Sequence, residues 1–182
     1  MDPRWFTPII QGYIGIAQGK LNNRDLQLAL ISRRSHLRTG TRFHARGIDD
    51  TGNVANFVET EQLVIADNNS IVFSYTIIRG SVPVFWEQKG VVEDVVLTRG
   101  PELTKKAFNK HFEDLTTCYG PVFAVDLLSD TKAREVILTK EYLKQLYDSE
   151  YKDRLKFLHL DFHRYCKGDK YDSLKILVAK VE

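Results

Sequence analysis

The feature that most constrains this chain is a change of hydrophobic period at Pro101. Ahead of it apolar residues recur at every second position, and behind it they recur at helical spacing. Leu26, Leu28 and Leu30 alternate with Gln27 and Ala29, which predicts a strand over residues 25–31; residues 8–18, 54–66 and 71–78 read as three more. Polar or turn-forming stretches at 19–24, 49–52 and 67–70 separate them, so the first half reads as an antiparallel meander. A short strand is expected over 91–97. After Pro101, which suits a first helical turn, Leu103, Ala107, Phe108, His111, Phe112 and Leu115 predict a helix that Gly120-Pro121 ends. A buried strand over 122–128, a helix over 139–147, a strand over 156–163 and a helix opening near 173 follow. The expected fold class is mixed α+β, a largely antiparallel meander and then alternating helices and strands.

At 182 residues and 43% hydrophobic content the chain can bury a core without disulfides or a structural metal. Cys118 and Cys166 form no close pair, which fits a reducing, cytoplasmic setting. No apolar run approaches the roughly 20 residues of a membrane span, so no transmembrane segment is expected.

Net charge is only +2, but its distribution is uneven. Residues 31–46 hold Arg33, Arg34, Arg38, Arg42 and Arg46 with no Asp or Glu, leaving the remainder at −3 (21 basic against 24 acidic residues). Such an island suggests an anion site. If residues 41–46 form a strand, Arg42, His44 and Arg46 share one face, and guanidinium forks match phosphate oxygens. The alternative is that these arginines pair with Asp49, Asp50, Glu59 and Glu61. A nucleic-acid partner fits less well, because aromatic residues do not interleave with the basic ones.

Several chemistries find no support. Gly15-x3-Gly19-Lys20-Leu21 is one residue short of a phosphate loop and lacks its hydroxyl, and no dinucleotide fingerprint or zinc-binding cysteine set occurs. As a strand, residues 156–163 would put His159, Asp161 and His163 on one face, a pattern more often a polar strand face than a metal site. Cysteine-based phosphate chemistry uses Cys-x5-Arg, whereas Ala124 and Asp172 stand six positions after the two cysteines.

Longer motifs are more specific. Ser32-Arg33-Arg34-Ser35-x2-Arg38-Thr39-Gly40-Thr41-Arg42-Phe43, Arg46-Gly47-Ile48-Asp49 and the block 53–62 (NVANFVETEQ) closely resemble the signature of Sac-domain phosphoinositide phosphatases. Residues 78–88 (IRGSVPVFWEQ), Ala107-Phe108-x2-His111-Phe112, Tyr119-Gly120-Pro121 and Leu160-Asp161-Phe162-His163 resemble the motifs that follow in that family. Phe43-His44-x-Arg46-Gly47, Phe85-Trp86-Glu87-Gln88 and Phe73-Ser74-Tyr75-Thr76 lean toward its synaptojanin-like, fungal-type branch.

The resemblance implies hydrolysis of phosphate monoesters on the inositol ring of phosphatidylinositol phosphates through a cysteine nucleophile. It implies no cofactor and no metal. Arg42, Arg46, Arg79, Asn56 and Glu59 are the expected substrate-binding or loop-supporting residues. No catalytic residue is expected within the chain. Residues 1–182 correspond to a partial Sac domain, with an N-terminal subdomain expected before it and the Cys-x5-Arg loop after it, so the chain is expected to be inactive alone. The alternative is a non-catalytic phosphoinositide-binding or regulatory module. Either reading places the chain at cytoplasmic membrane surfaces, endocytic, endosomal or Golgi, with phosphoinositide lipids and the missing Sac segments or a protein as partners.

Overall fold

A computed structural model describes residues 11–40, 44–66, 70–88, 94–168 and 171–175. The meander is present as one antiparallel sheet in sequential order: β1 (Gly12–Leu21), β2 (Arg24–Arg34), β3 (Val58–Ala66) and β4 (Ile71–Arg79). Asn22 and Asn23 take positive φ in the two-residue turn joining β1 to β2, as a primed hairpin turn requires. The third strand starts at Val58 rather than Val54, because Val54 forms an isolated bridge with Ile48 that closes a tight loop instead of continuing the ladder.

Pairing register decides what each face of the sheet carries. Arg34, Val58 and Arg79 lie in one row, as do Arg33, Glu59 and Ile78 in the next. Since neighbouring rows point to opposite sides, Arg33 and Arg34 serve different faces. Ser32 and Thr60 meet on the Arg34 side with hydroxyl oxygens 3.0 Å apart, and Ser74 donates to Glu61 on the Arg33 side at 3.0 Å.

Two smaller sheets follow. β5 (Trp86–Gln88) pairs antiparallel with β6 (Val95–Leu97), and β7 (Val122–Asp126) pairs in parallel with β8 (Leu155–His159). Residues 91–93 of the expected strand lie outside the described residues. A parallel pair needs a long crossover, supplied by α2 (Ala133–Asp148). The expected buried strand at 122–128 is shorter and only half covered, with Phe123 and Val125 exposed on the side that α1 and α2 leave open.

α1 (Pro101–Tyr119) begins with proline in its first turn. It stops at Gly120, whose φ of 81° is open to glycine and whose N–H returns to the Thr116 carbonyl at 3.2 Å. Of its buried residues, Phe108, Phe112 and Leu115 pack on Tyr142 and Leu146 of α2 and Leu155 of β8, whereas Ala107 packs with Ile48, Val54 and Phe85. Phe108 is wholly buried and its ring lies 4.7 Å from that of Phe112. Truncating it to alanine is worth about 3–5 kcal/mol by cavity formation.

α2 starts six residues earlier than the helical spacing of Tyr142, Leu143 and Leu146 implied. Its first turn is anchored by Glu135, which accepts the Ser129 N–H at 2.7 Å, and in the next turn Leu138 packs on Val84 and Trp86. The strand expected over 156–163 ends at His159. Asp161 then caps α3 (Phe162–Tyr165), accepting the Arg164 N–H, the Asp130 N–H and the Ser129 hydroxyl at 2.9–3.0 Å. Burial alone would raise its carboxyl pKa, but these donors outweigh burial and hold it well below the usual carboxylate range. His159 contacts Asp126 instead (3.1 Å) and His163 is exposed, so the three residues do not converge. Among the described residues no group of three His, Cys, Asp or Glu side chains is placed to hold a metal ion. Most of the helix expected from 173 lies outside the described residues, within which Tyr171–Leu174 forms a short helical turn and Lys175 is helical.

His111 gives the core a pH dependence. Burial lowers its pKa to about 4, although the bond to Gly52 and the charge of Asp114 act the other way. A neutral ring donates Nδ1–H to the Gly52 carbonyl at 2.9 Å. The unfolded chain binds this proton near pH 6.5, so the stabilisation is complete above that pH and is lost as pH falls toward 4. Urea unfolding at pH 7 and pH 4.5 is expected to show a loss on the order of 3 kcal/mol from this group. His111→Gln should flatten that difference; an identical pH dependence in the variant would contradict the assignment.

Candidate functional site

The basic segment leaves the sheet at Arg34 and returns at Val58. Between them, local chemistry makes a rigid loop. Asp49 Oδ1 accepts the Thr51 N–H, the Thr51 hydroxyl and the Asn53 N–H at 2.7–2.9 Å, an Asx-type turn. Although burial acts to raise the Asp49 pKa, these bonds lower it overall. The Asn53 carbonyl accepts the Asp49 N–H at 3.0 Å, and the Gly47 carbonyl accepts the Ala55 N–H at 2.9 Å. Gly47 (φ 65°) sits so close to β5 that a Cβ would lie 2.5 Å from the Val84 carbonyl oxygen, so only glycine fits.

Two of the island's arginines, Arg34 and Arg38, build this loop. Arg34 Nη2 donates to the Gly40 carbonyl at 2.8 Å and to Asn56 Oδ1 at 3.1 Å, and Asn56 Nδ2 donates to the Ala45 carbonyl at 3.2 Å. One guanidinium and one amide thus pin both ends of the stretch that carries Arg42. Arg38, itself at φ 46°, donates to the Gly47 and Arg46 carbonyls at 3.2 and 2.7 Å. Arg33 points to the other face of the sheet and pairs with Glu59 and with Glu61, the latter at 2.9 Å. The Arg33 hydrogen bond is the leading reason the Glu61 carboxyl titrates below its ordinary range. Tyr119 donates its hydroxyl to Glu59, and desolvation, aided by that carboxylate, raises the phenol to about 12.

The five residues expected to bind substrate therefore occupy different places. Arg42 lies outside the described residues. Residues 44–46 are turn and irregular chain rather than strand, so alternation does not set which way Arg46 points. Arg46 lies over the Trp86 ring, 5.3 Å from its centre, and donates to Gln88 Oε1 at 3.3 Å. Asn56 braces the loop base. Arg79 ends β4, exposed, on the same face as Arg34, whereas Glu59 lies on the reverse face. Among the acidic residues weighed as partners for Arg42 and Arg46, Glu59 and Glu61 pair with Arg33, Asp50 pairs with Arg99, and Asp49 accepts bonds in its own turn. The supporting roles of Arg34, Arg38 and Tyr119 were not anticipated. Strand parity separates Arg33 from Arg34, but nothing local signals the long-range bond between Tyr119 and Glu59.

The structure offers two clefts beside this loop. One, of about 190 Å³, lies between the loop and α1 and is lined by Leu37, Val54, Phe57, His111, Leu115 and Cys118 among others. The other, of about 300 Å³, is polar, with Arg38, Asp49, Asp50, Glu87 and Arg99 on its walls.

Asn56 supplies a direct test of the loop base. Its φ of 56° is one that asparagine tolerates better than alanine. Asn56→Ala is expected to cost about 2–4 kcal/mol by thermal melt, and Asn56→Gly about 1 kcal/mol less. Equal melting of the two variants would show that the left-handed backbone is not what selects this residue.

Known proteins align with this chain across the same elements. Residues 1–167 match the SacI homology domain. The chain is 44% identical over 163 residues to the inositol-1,4,5-trisphosphate 5-phosphatase 1 of Schizosaccharomyces pombe, covering 88% of this chain and 15% of that protein. It is 38% identical over 177 residues to synaptojanin-2 of Homo sapiens, covering 96% and 12%. With the polyphosphatidylinositol phosphatase INP53 of Saccharomyces cerevisiae the identity is 37% over 185 residues, covering 99% and 16%. The chain thus spans 12–16% of the length of these relatives. Since the match runs without a break from the β meander through the pinned arginine loop to α3, the chain belongs to the SacI homology domain family.

Proposed function

We propose that this chain is a partial Sac phosphatase domain whose basic loop faces the phosphorylated inositol ring of a membrane lipid. The observation that carries the reading is the fixed base of that loop: Arg34 and Asn56 hold Gly40 and Ala45 on either side of the segment that contains Arg42, and Arg38 holds the Arg46 carbonyl. Pre-set guanidiniums bind phosphate without first losing chain entropy. Arg42 and Arg46 act as substrate-side cations, Arg79 adds charge at the sheet end, and Asn56 and Glu59 hold the backbone around them. The relatives' names, an inositol trisphosphate 5-phosphatase and a polyphosphatidylinositol phosphatase, support this substrate class.

In this reading the loop contributes binding and charge stabilisation, and the nucleophile comes from the Cys-x5-Arg segment of the complete domain. Neither Cys118 nor Cys166 has arginine at the required position. That observation favours a second reading for the 182 residues on their own, a phosphoinositide-binding module without turnover. Both readings place the chain peripherally at cytoplasmic membranes; no helix among the described residues is long and apolar enough to cross one.

Two measurements test this. The isolated chain should release no phosphate from phosphatidylinositol phosphates, and turnover abolished by Cys118→Ser or Cys166→Ser would refute the reading. Arg42→Gln with Arg46→Gln should weaken co-sedimentation with vesicles containing phosphorylated inositol lipids at least tenfold, roughly 1.4 kcal/mol, while the thermal melt is retained. Undiminished lipid binding with a collapsed melt would assign both arginines to the scaffold.

A further inference from the structure

Away from the row of Arg34, Val58 and Arg79, the Arg34 face of the four-stranded sheet is left open by the described residues. Register places Tyr13, Leu21, Leu28, Leu30, Ile71, Phe73, Tyr75 and Ile77 on the Arg34 side, and all eight are exposed. Tyr13 is 60% exposed, Phe73 64%, Tyr75 67% and Ile77 54%. At roughly 200 Å² per side chain, these four alone present on the order of 500 Å², near the top of the range for the largest apolar patch of a monomer.

Charge separates this face from its reverse. The strand residues pointing to it include Arg24, Arg34 and Arg79 and no Asp or Glu, whereas Asp25, Glu59 and Glu61 all lie on the other side. A face that is apolar in its middle, cationic at its Arg34–Arg79 end and without a carboxylate among its strand residues has two kinds of complement. A second copy of the same face would bring cations together with no acid opposite them. An anionic bilayer supplies both needs, with lipid phosphates for the arginines and the acyl boundary for Phe73 and Ile77. Tyrosines suit that depth because one end of the ring is apolar and the other is polar.

We propose that this face of the β1–β4 sheet is a docking surface for anionic membranes. It goes beyond the head-group reading of the arginine loop, because it requires acidic lipid but no phosphorylated inositol. Binding combines apolar insertion with screening-sensitive attraction, so it should fall as salt rises.

The test uses the 182-residue chain and three vesicle types: phosphatidylcholine alone, phosphatidylcholine with phosphatidylserine, and the latter with a phosphorylated inositol lipid. Wild type should partition onto the phosphatidylserine vesicles, and Phe73→Thr/Tyr75→Thr/Ile77→Thr should reduce that by about tenfold or more. Threonine keeps strand propensity, and circular dichroism checks the fold. Val72→Thr, on the reverse face, should bind as wild type does. A Tyr75→Trp variant, which leaves the patch intact, should be quenched by brominated acyl chains.

Equal partitioning of the triple variant, absence of quenching, or no wild-type binding to phosphatidylserine vesicles would overturn the proposal. So would a wild-type dimer that the triple variant converts to monomer, which would assign the face to a second copy. Arg42→Gln/Arg46→Gln should remove only the increment that the inositol lipid adds. If that increment persists in this variant while the triple variant still fails on phosphatidylserine, the head-group reading falls and the docking surface stands.

Discussion

Two adjacent guanidiniums at the end of β2 divide the molecule between them. Arg33 turns to one side and neutralises Glu59 and Glu61, through which Tyr119 ties the end of α1 to the sheet. Arg34 turns to the other and closes the base of the basic loop through Gly40 and Asn56. Strand geometry alone forces this division, because consecutive side chains cannot share a face. The helix-to-sheet contact and the loop geometry are consequently set by the same step of backbone, and a one-residue slip of β2 against β3 would exchange their roles.

The island's charge is spent unevenly. Arg33 faces carboxylates, so its charge is compensated within the fold. Arg34 and Arg38 are bonded mainly to carbonyl oxygens, which satisfy donors without cancelling a positive charge. A loop wrapped on guanidiniums that meet dipoles rather than anions remains electropositive. The net charge of +2 therefore does not describe the local balance around this loop.

Much of the architecture was legible because the physics behind it is local. The alternation of Leu26, Leu28 and Leu30 marks a strand, and Pro101 and Gly120 bracket α1 from sequence alone. Where the reading went astray, a periodic pattern ran past the element that it belonged to. Arg42, His44 and Arg46 alternate, but residues 44–46 are shaped by bonds from Asn56 and Arg38 rather than by a partner strand. Leu158, Leu160 and Phe162 alternate beyond the end of β8 because Leu160 N–H returns to the Asp126 carbonyl at 2.9 Å and Asp161 then starts a helix. The pairing of Arg99 with Asp50, 49 residues apart, has no short-range signature. Family resemblance singled out Asn56 as a residue of this segment, whereas the bonds by which Arg34 and Arg38 hold the loop have no signature in the sequence.

Among the described residues, the sheet joins the rest of the molecule at the end nearest the Arg34 row. Phe57 and Ile78, near the Arg34 row, pack against the buried core, while the β1–β2 turn at Asn22 and Asn23 lies at the opposite end of the ladder. Amide protection should be graded along each strand. Hydrogens near the loop exchange only when the core opens, and those toward Leu21 and Arg24 exchange through fraying of a two-sided ribbon. The cooperative unit of this fold therefore cuts across its strands, and the boundary between slow and fast exchange falls within individual strands rather than between secondary-structure elements.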